Sequence, residues 1–394
     1  MGLSPKASPR DSFLVFGSPL IEEPEIAEVV ASLRSGWLGT GPKVAQFEKD
    51  FAAYKGVPHA VAVNSCTAAL HVSMIAAGLK PGDEVITTPL TFCATANAII
   101  HAGATPVLAD VDPATMNIDP AQIERRLTPR TRALLPVHFA GRPCDMDAIE
   151  DIARRHNLLI IEDCAHAIET EYHGRKSGTF GDYGCFSFYV TKNIVTGEGG
   201  MVLARDEEKA ARIKVLALHG MSRDAWKRYS ASGSWYYEVV LPGFKCNMTD
   251  IQAALGLQQL HKLPQFQERR CEIVRQYQAA FAAMPELQTP TERPEVESAW
   301  HIYALRLNLE QLRIDRAQFI QELAARNIGT SVHFIPNHLQ PYYRDKYGYQ
   351  PEDFPVAYRE YQRLISLPLN LRLSDADVED VIEAVKDIVA TYRR

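Results

Sequence analysis

Lys192 stands at the exit of an apolar, strand-like run, Cys185-Phe186-Ser187-Phe188-Tyr189-Val190-Thr191-Lys192-Asn193, which leads into Gly197-Glu198-Gly199-Gly200-Met201. Upstream, Leu158-Leu159-Ile160-Ile161-Glu162-Asp163 is a second buried-type run, and it ends on an acid. A lysine amine becomes a nucleophile toward an aldehyde when burial or a neighbouring charge depresses its pKa. A carboxylate held among apolar residues must meet a cation or hydrogen-bond donors, and a protonated pyridine nitrogen is one such partner. Lys192, Asp163 and the Ser187 hydroxyl, each at the C-terminal end of a strand, are therefore the polar parts of a pyridoxal phosphate (PLP) site. Each also has a plain reading. Lys192 alone is a solvated surface residue, and Asp163 alone caps the next helix.

Other residues can be ranged around these. Asn64-Ser65-Cys66-Thr67-Ala68-Ala69-Leu70 follows a strand and opens a helix, so the Thr67 and Ala68 amides and the Thr67 hydroxyl can converge on a phosphate. Ordinary N-capping by Ser or Thr explains the same letters equally well. Phe92 follows Thr87-Thr88-Pro89-Leu90-Thr91 at another strand exit, where it either covers a flat ring or joins the core. His166 either hydrogen-bonds near a cofactor or packs. No GxxxxGK[ST] loop, GxSxG elbow or HExxH helix occurs, and Gly39-Thr40-Gly41 is a weak echo of a dinucleotide loop. The seven cysteines are scattered without a CxxC pair, so neither a metal site nor a disulfide framework is expected.

The elements that must position these groups alternate. Strand-like runs at Ala60–Val63, Glu84–Thr87, Thr105–Asp110, Ala133–His138, Leu158–Asp163, Gly184–Tyr189 and Gly200–Ala204 are interleaved with helical patterns at Thr67–Ala77, Cys93–Ala102 and Met146–His156. Short apolar strands separated by helices predict an α/β domain with a mainly parallel seven-stranded sheet, covered on both faces. Ligands gather at the carboxyl ends of such strands. An N-terminal helix at Glu22–Arg34, a helical block at Thr249–Met284, and a smaller α+β C-terminal domain complete the expectation. The latter holds strands Ile302–Leu307 and Thr330–Phe334 and helices Arg316–Arg326 and Asp375–Tyr392. The 394 residues allow one large and one smaller domain, read as 13–260 and 261–394, with Met1–Ser12 a loose tail. Net charge is −6 with both signs interleaved, which disfavours nucleic acid or an anionic membrane as a partner. No apolar run reaches the roughly 18 residues of a membrane span, and the tail lacks a signal peptide's apolar centre, so a cytoplasmic protein is expected.

The order of the motifs resembles the DegT/DnrJ/EryC1/StrS family, PLP-dependent sugar aminotransferases of the aspartate-aminotransferase fold (fold type I). The likeness runs from about Phe16 to the C-terminus. It is carried by Ser35-Gly36-Trp37…Gly41-Pro42, the Ser65–Leu70 helix start, Pro136-Val137-His138…Gly141, Glu162-Asp163-Cys164-Ala165-His166-Ala167, Phe186-Ser187-Phe188…Lys192-Asn193…Gly197-Glu198-Gly199-Gly200 and Asn247-Met248-Thr249-Asp250. The resemblance implies that Lys192 is the Schiff-base lysine and proton shuttle, and that Asp163 partners the pyridine nitrogen. Cys66, Thr67, Ala68 and Ser187 then lie around the phosphate, Phe92 stacks on the ring, and His166 lies beside it. Asn247 would reach the phosphate from a second subunit, implying a homodimer with shared sites. Trp37, Thr40, His333, His338 and Tyr342 are implied to border the substrate. The chain departs from many members at Cys66, where they have Gly, and at Cys246-Asn247, where they have Tyr-Arg. Asn247 and His219-Gly220-Met221-Ser222-Arg223-Asp224-Ala225-Trp226 resemble the branch aminating UDP-linked 4-keto sugars, notably the enzyme making 4-amino-4-deoxy-L-arabinose for lipid A. The implied reaction is transfer of an amino group from an amino acid, glutamate, to the C4 keto carbon of a nucleotide-linked sugar. The alternatives are 3-amination, sugar dehydration (against which Lys192 argues, since the dehydratases carry His there) and a non-catalytic regulator.

Overall fold

The computed structural model describes residues 10–222, 236–291 and 293–394. Among the described residues nine strands come first in chain order: β1 His59–Val63, β2 Glu84–Thr87, β3 Thr105–Leu108, β4 Thr131–Leu134, β5 Leu159–Asp163, β6 Glu171–Tyr172, β7 Arg175–Lys176, β8 Tyr183–Ser187 and β9 Gly200–Ala204. Four follow: β10 Leu287–Gln288, β11 Val296–Glu297, β12 Tyr303–Leu307 and β13 Leu364–Leu367. Seven of them form the large sheet in the order β1-β9-β8-β5-β4-β2-β3. The pairs β3–β2, β2–β4, β4–β5 and β5–β8 are parallel, whereas β9 runs antiparallel to both of its neighbours. The fold is thus the α/β class expected from the alternating pattern.

One consequence of this topology positions the site. Because β9 alone is reversed, the start of β9 lies at the same sheet edge as the carboxyl ends of β1, β2, β4, β5 and β8. Gly199 and Gly200 therefore meet Ser65, Asp163 and Ser187 along one edge. Side chains alternate across a strand, so Ile161 packs into the core under the Cys66–Ala76 helix while Ile160 packs into the core on the opposite face. The acids that follow obey the same alternation. Glu162 points away from Lys192 and accepts amides of Gly178, Phe180 and Gly181 at 2.7–2.8 Å and the His138 ring at 3.1 Å. Those bonds saturate it, although His138, Glu162 and Cys164 lie close enough to suggest a metal-binding trio.

The Asp250–Phe281 helix starts on a capping box made by Thr249 and Gln252. It is continuous through position 260/261. Ala253, Leu257, Leu260, Leu263 and Phe266 pack against the large-sheet layer, and Ile273, Val274, Tyr277 and Phe281 against the sheet β10-β12-β13. A third sheet, β11-β6-β7, has three strands and is built from two distant segments.

Two expectations need correcting. Thr330–Phe334 is not a strand; only Ser331 makes an isolated bridge, to Ser366, and the strand paired with β12 is Leu364–Leu367. The segment instead carries His333 and Phe334 to the large sheet's active edge before Pro336 ends it. Of the Met1–Ser12 tail, residues 1–9 fall outside the described residues. Arg10 is not loose: its guanidinium pairs with Asp377 and Asp380, and Leu14 bridges Ile328. No helix among the described residues is long and apolar enough to cross a membrane.

Candidate active site

Asp163 ends β5 almost fully buried. Its Oδ2 accepts the Thr95 hydroxyl at 2.8 Å and its Oδ1 accepts the Ala165 amide at 3.1 Å. Burial pushes the carboxyl pKa up, and Thr95, the Ala165 amide and the charge of Lys192 pull against it. The Thr95 hydroxyl is also 2.8 Å from that of Thr91, so the helix Cys93–His101 braces the acid through one turn. An anion in so apolar a place is stable only opposite a cation.

Lys192 follows β8, its backbone turned by a bond from its amide to the Tyr189 carbonyl at 2.8 Å. Desolvation lowers its pKa to about 8, while Cys66 and Asp163 draw it back upward. A lysine with that value is unprotonated in about one molecule in ten at pH 7, against roughly one in several thousand for a free side chain. That is the state in which an amine attacks a carbonyl.

Both residues open on one cavity of about 540 Å³, within the range of small-molecule sites. Cys66, Thr67, Phe92, His166, Ser187 and His333 share its wall. The Cys66–Ala76 helix begins there, and Ser65 caps it by accepting the Ala68 amide at 3.1 Å. The N-cap and phosphate readings therefore divide the helix start: Ala68 is engaged by the cap and does not line the cavity, whereas Cys66 and Thr67 do. Phe92 is 59% exposed and lies 5.9 Å from the Phe334 ring, so it is cavity rim, not core. The His166 ring stacks near Phe334 at 5.8 Å, and its Nδ1 is buried without a partner.

The remaining candidates lie elsewhere. Trp37, Thr40 and Asn247 line a second, larger depression of about 910 Å³. There Asn247 donates to the Thr40 hydroxyl at 2.5 Å and accepts from Lys245 at 2.6 Å. Tyr342 is exposed and touches Lys346. His338 does not face the cavity; it is buried against Phe354, and burial pulls its pKa down to about 4. In the His219–Trp226 motif, Arg223–Trp226 lie outside the described residues. Thr95, His301 and Phe334, which do line the cavity, were missed. Thr91 and Thr95, four apart on the strand exit and helix, carried the one signal that could have found any of them.

These residues fit PLP. Asp163 offers a buried anion for the ring nitrogen, the Cys66–Ala76 helix offers its N-terminus to the phosphate, and the orphaned His166 Nδ1 waits for a polar contact. The glycines leave the room: a Cβ on Gly200 would fall 2.5 Å from the carbonyl carbon and oxygen of Ser65. Gly200→Ala is accordingly expected to push the helix start from β9 and weaken cofactor affinity about tenfold or more, roughly 1.4 kcal/mol. An absorbance titration with PLP checks it, and unchanged affinity would show that this helix start does not hold the phosphate.

Comparison with known proteins agrees with that chemistry. Residues 19–386 match the model of the DegT/DnrJ/EryC1/StrS aminotransferase family. The chain is 56% identical over 381 residues to the spore coat polysaccharide biosynthesis protein SpsC of Bacillus subtilis, covering 96% of this chain and 98% of SpsC. Among solved structures, Spr1654 from Streptococcus pneumoniae in its PMP form superposes with a TM-score of 0.91 at 36% identity, covering 96% of this chain and 99% of that one. It has also been solved in a PLP form. Helicobacter pylori PseC, an aminotransferase in the biosynthesis of pseudoaminic acid, superposes with a TM-score of 0.90 at 28% identity, covering 97% of this chain and 100% of that one. The chain belongs to the DegT/DnrJ/EryC1/StrS aminotransferase family, and pyridoxal 5′-phosphate is its cofactor.

Proposed function

We propose that the chain moves an amino group from glutamate to the C4 keto carbon of a UDP-linked sugar destined for a surface polysaccharide. The observation that carries the reaction class is Lys192 and buried Asp163 facing one cavity. The polysaccharide and pseudoaminic acid roles of SpsC and PseC support a sugar acceptor, and Asn247 with the His219–Ser222 stretch supports the UDP-linked 4-keto branch. Bound PLP supplies the aldehyde that takes up the donor's amine and an electron-withdrawing ring. Lys192 anchors the cofactor, then carries the proton at the donor's α-carbon. Asp163 holds the ring nitrogen protonated. The exposed Phe92 covers one ring face, and Thr67 and Ser187 hold the phosphate. His333, kept neutral by burial and bonded through Nδ1 to Ser366 at 2.8 Å, borders the sugar. Incubation with glutamate and a set of nucleotide-linked 3-keto and 4-keto sugars, with the amine located by NMR, tests this reading. Amination at C3, or release of a dehydrated sugar, would replace it.

Asn247 supports the homodimer with shared sites that the resemblance implies, which we propose as well. It lies in a depression separate from the Lys192 cavity, with Trp37 and Thr40, so within one chain it does not serve the phosphate. If a second copy inserts Asn247, a heterodimer of one Lys192→Ala and one Asn247→Ala chain holds one intact site. Mixing the two impaired variants is then expected to restore up to about a quarter of wild-type activity, the random-pairing limit of a symmetric dimer. No recovery on mixing, with exchange shown by mass spectrometry, would exclude the shared site.

A further inference from the structure

Behind Lys192 lies a buried polar chain that the reaction as described does not use. Asn193 is 4% exposed and Glu169 and His301 are each 7% exposed. The Asn193 amide nitrogen donates to both Glu169 oxygens, at 2.8 and 3.0 Å, and to the Ala299 carbonyl at 2.8 Å. All three partners are acceptors, so the amide orientation is settled by chemistry. The Asn193 oxygen must then face His301, whose Nδ1 is 3.0 Å away. An amide oxygen only accepts, so His301 Nδ1 carries a proton. Burial and the positive charges of Lys192 and Arg270 keep the ring from taking a second one, which leaves Nε2 unprotonated.

His301 stands where such an acceptor matters. It shares with Lys192 the wall of the cavity of about 540 Å³ and that of a smaller one. Its ring lies 4.3 Å from that of His166. Burial holds the pKa values of His166 and His333, like that of His301, below the usual range. Glu169 is engaged by Asn193 and attracted to Arg270, which bonds the Trp300 and Leu369 carbonyls. Around the lysine, the large-sheet cavity also carries Asp163, Cys66 and Glu198 and the small one Arg270, while the three imidazoles stand as neutral rings.

We propose that His301, fixed by Asn193 and Glu169 as the Nδ1–H tautomer, is a positioning residue whose Nε2 accepts a hydrogen bond from Lys192 once the donor's amine has released that lysine from the cofactor. The bond aims the amine for proton transfer and favours its charged form. It rests on Lys192 being the reacting amine. The chemistry of the Asn193 amide reads one way, and it passes from a carboxylate that does not line the cavity to a ring that does.

Two measurements on the holoenzyme test it. In histidine-labelled protein, two-bond proton–nitrogen correlation, with His301 assigned by its absence in His301→Gln, is expected to show Nδ1 protonated and Nε2 bare. The opposite tautomer, or a doubly protonated ring at neutral pH, would overturn the proposal whatever Lys192 does. The donor half-reaction, followed by stopped-flow absorbance across pH, reads the lysine. Losing an acceptor of the ammonium lowers the lysine pKa. In His301→Phe the Lys192 limb should therefore move about half a unit or more to acid and the rate fall about tenfold or more. His301→Gln, which retains an acceptor, should recover most of both. A limb unmoved in His301→Phe, at equal cofactor content and Tm, would leave the ring a packing residue. A half-reaction persisting in Lys192→Ala would instead defeat the Lys192 assignment and leave the tautomer result standing.

Discussion

Lys192→Ala is expected to bind PLP only reversibly and to show no measurable turnover with any donor. Two functions are lost together: the covalent anchor and the base that moves the proton at the donor's carbon. No neighbour can substitute. His166, His301 and His333 all have pKa values pressed below the ordinary imidazole range by burial, and Asp163 is committed to Thr95 and the Ala165 amide. A protein in which a general base and a covalent attachment disappear at once loses on the order of 10⁴-fold or more. The check has two parts. Borohydride treatment followed by peptide mass spectrometry should place the reduced cofactor on Lys192 in the wild type and nowhere in the variant. Steady-state release of the donor's keto acid should fall to background. An adduct on another lysine, Lys55 above all, would move the chemistry: that residue is also buried, with its pKa lowered by desolvation to about 8. Lys55 instead donates to the Ile168 carbonyl at 2.9 Å and lies over the Phe186 ring, outside the cavity.

The site was legible where chemistry coincides with the end of a strand. Asp163, Ser187 and Lys192 could be read from apolar runs that stop on a polar residue, because a parallel sheet brings those stops to one edge. Glu84–Thr87, Gly200–Ala204, Met146–His156 and Asp375–Tyr392 have the same bounds in sequence pattern and structure, each with a local signal. Thr330–Phe334 had a strand's composition too, but pairing is decided by distant chain. Its neighbour Leu364–Leu367 took the place beside β12, and the segment became a carrier for His333 and Phe334. Proximity between segments far apart in sequence was the illegible part. Nothing in Ser298-Ala299-Trp300-His301 announces that it meets Asn193, more than a hundred residues earlier. Nor does His338, five residues after His333, show that its ring turns into the core against Phe354.

Asp163→Asn should be the second most damaging change, with a loss on the order of 10³-fold, about 4 kcal/mol of barrier. The substitution keeps the shape, and one amide oxygen can still accept from Thr95 or from the Ala165 amide. It removes the charge. Burial pushes the Asp163 pKa up, so ionising this acid is costly unless a cation stands opposite it. A protonated pyridine nitrogen is that cation, and each stabilises the charged form of the other. An asparagine cannot take part in that exchange. Its amide offers the ring nitrogen a hydrogen bond whether or not the ring is protonated, and the electron-withdrawing power of the cofactor falls with the proton. The sign for folding is the reverse. Replacing a buried acid by a neutral amide removes a desolvation cost, so Tm without cofactor should hold or rise. The two readouts together are diagnostic: a Tm at or above wild type with a donor half-reaction slowed about a thousandfold identifies an electronic role. A loss below about tenfold would take Asp163 out of it. A parallel drop in Tm would make the acid a strut for Thr95 and the Cys93–His101 helix, and the rate loss would then report a displaced wall instead of a missing charge.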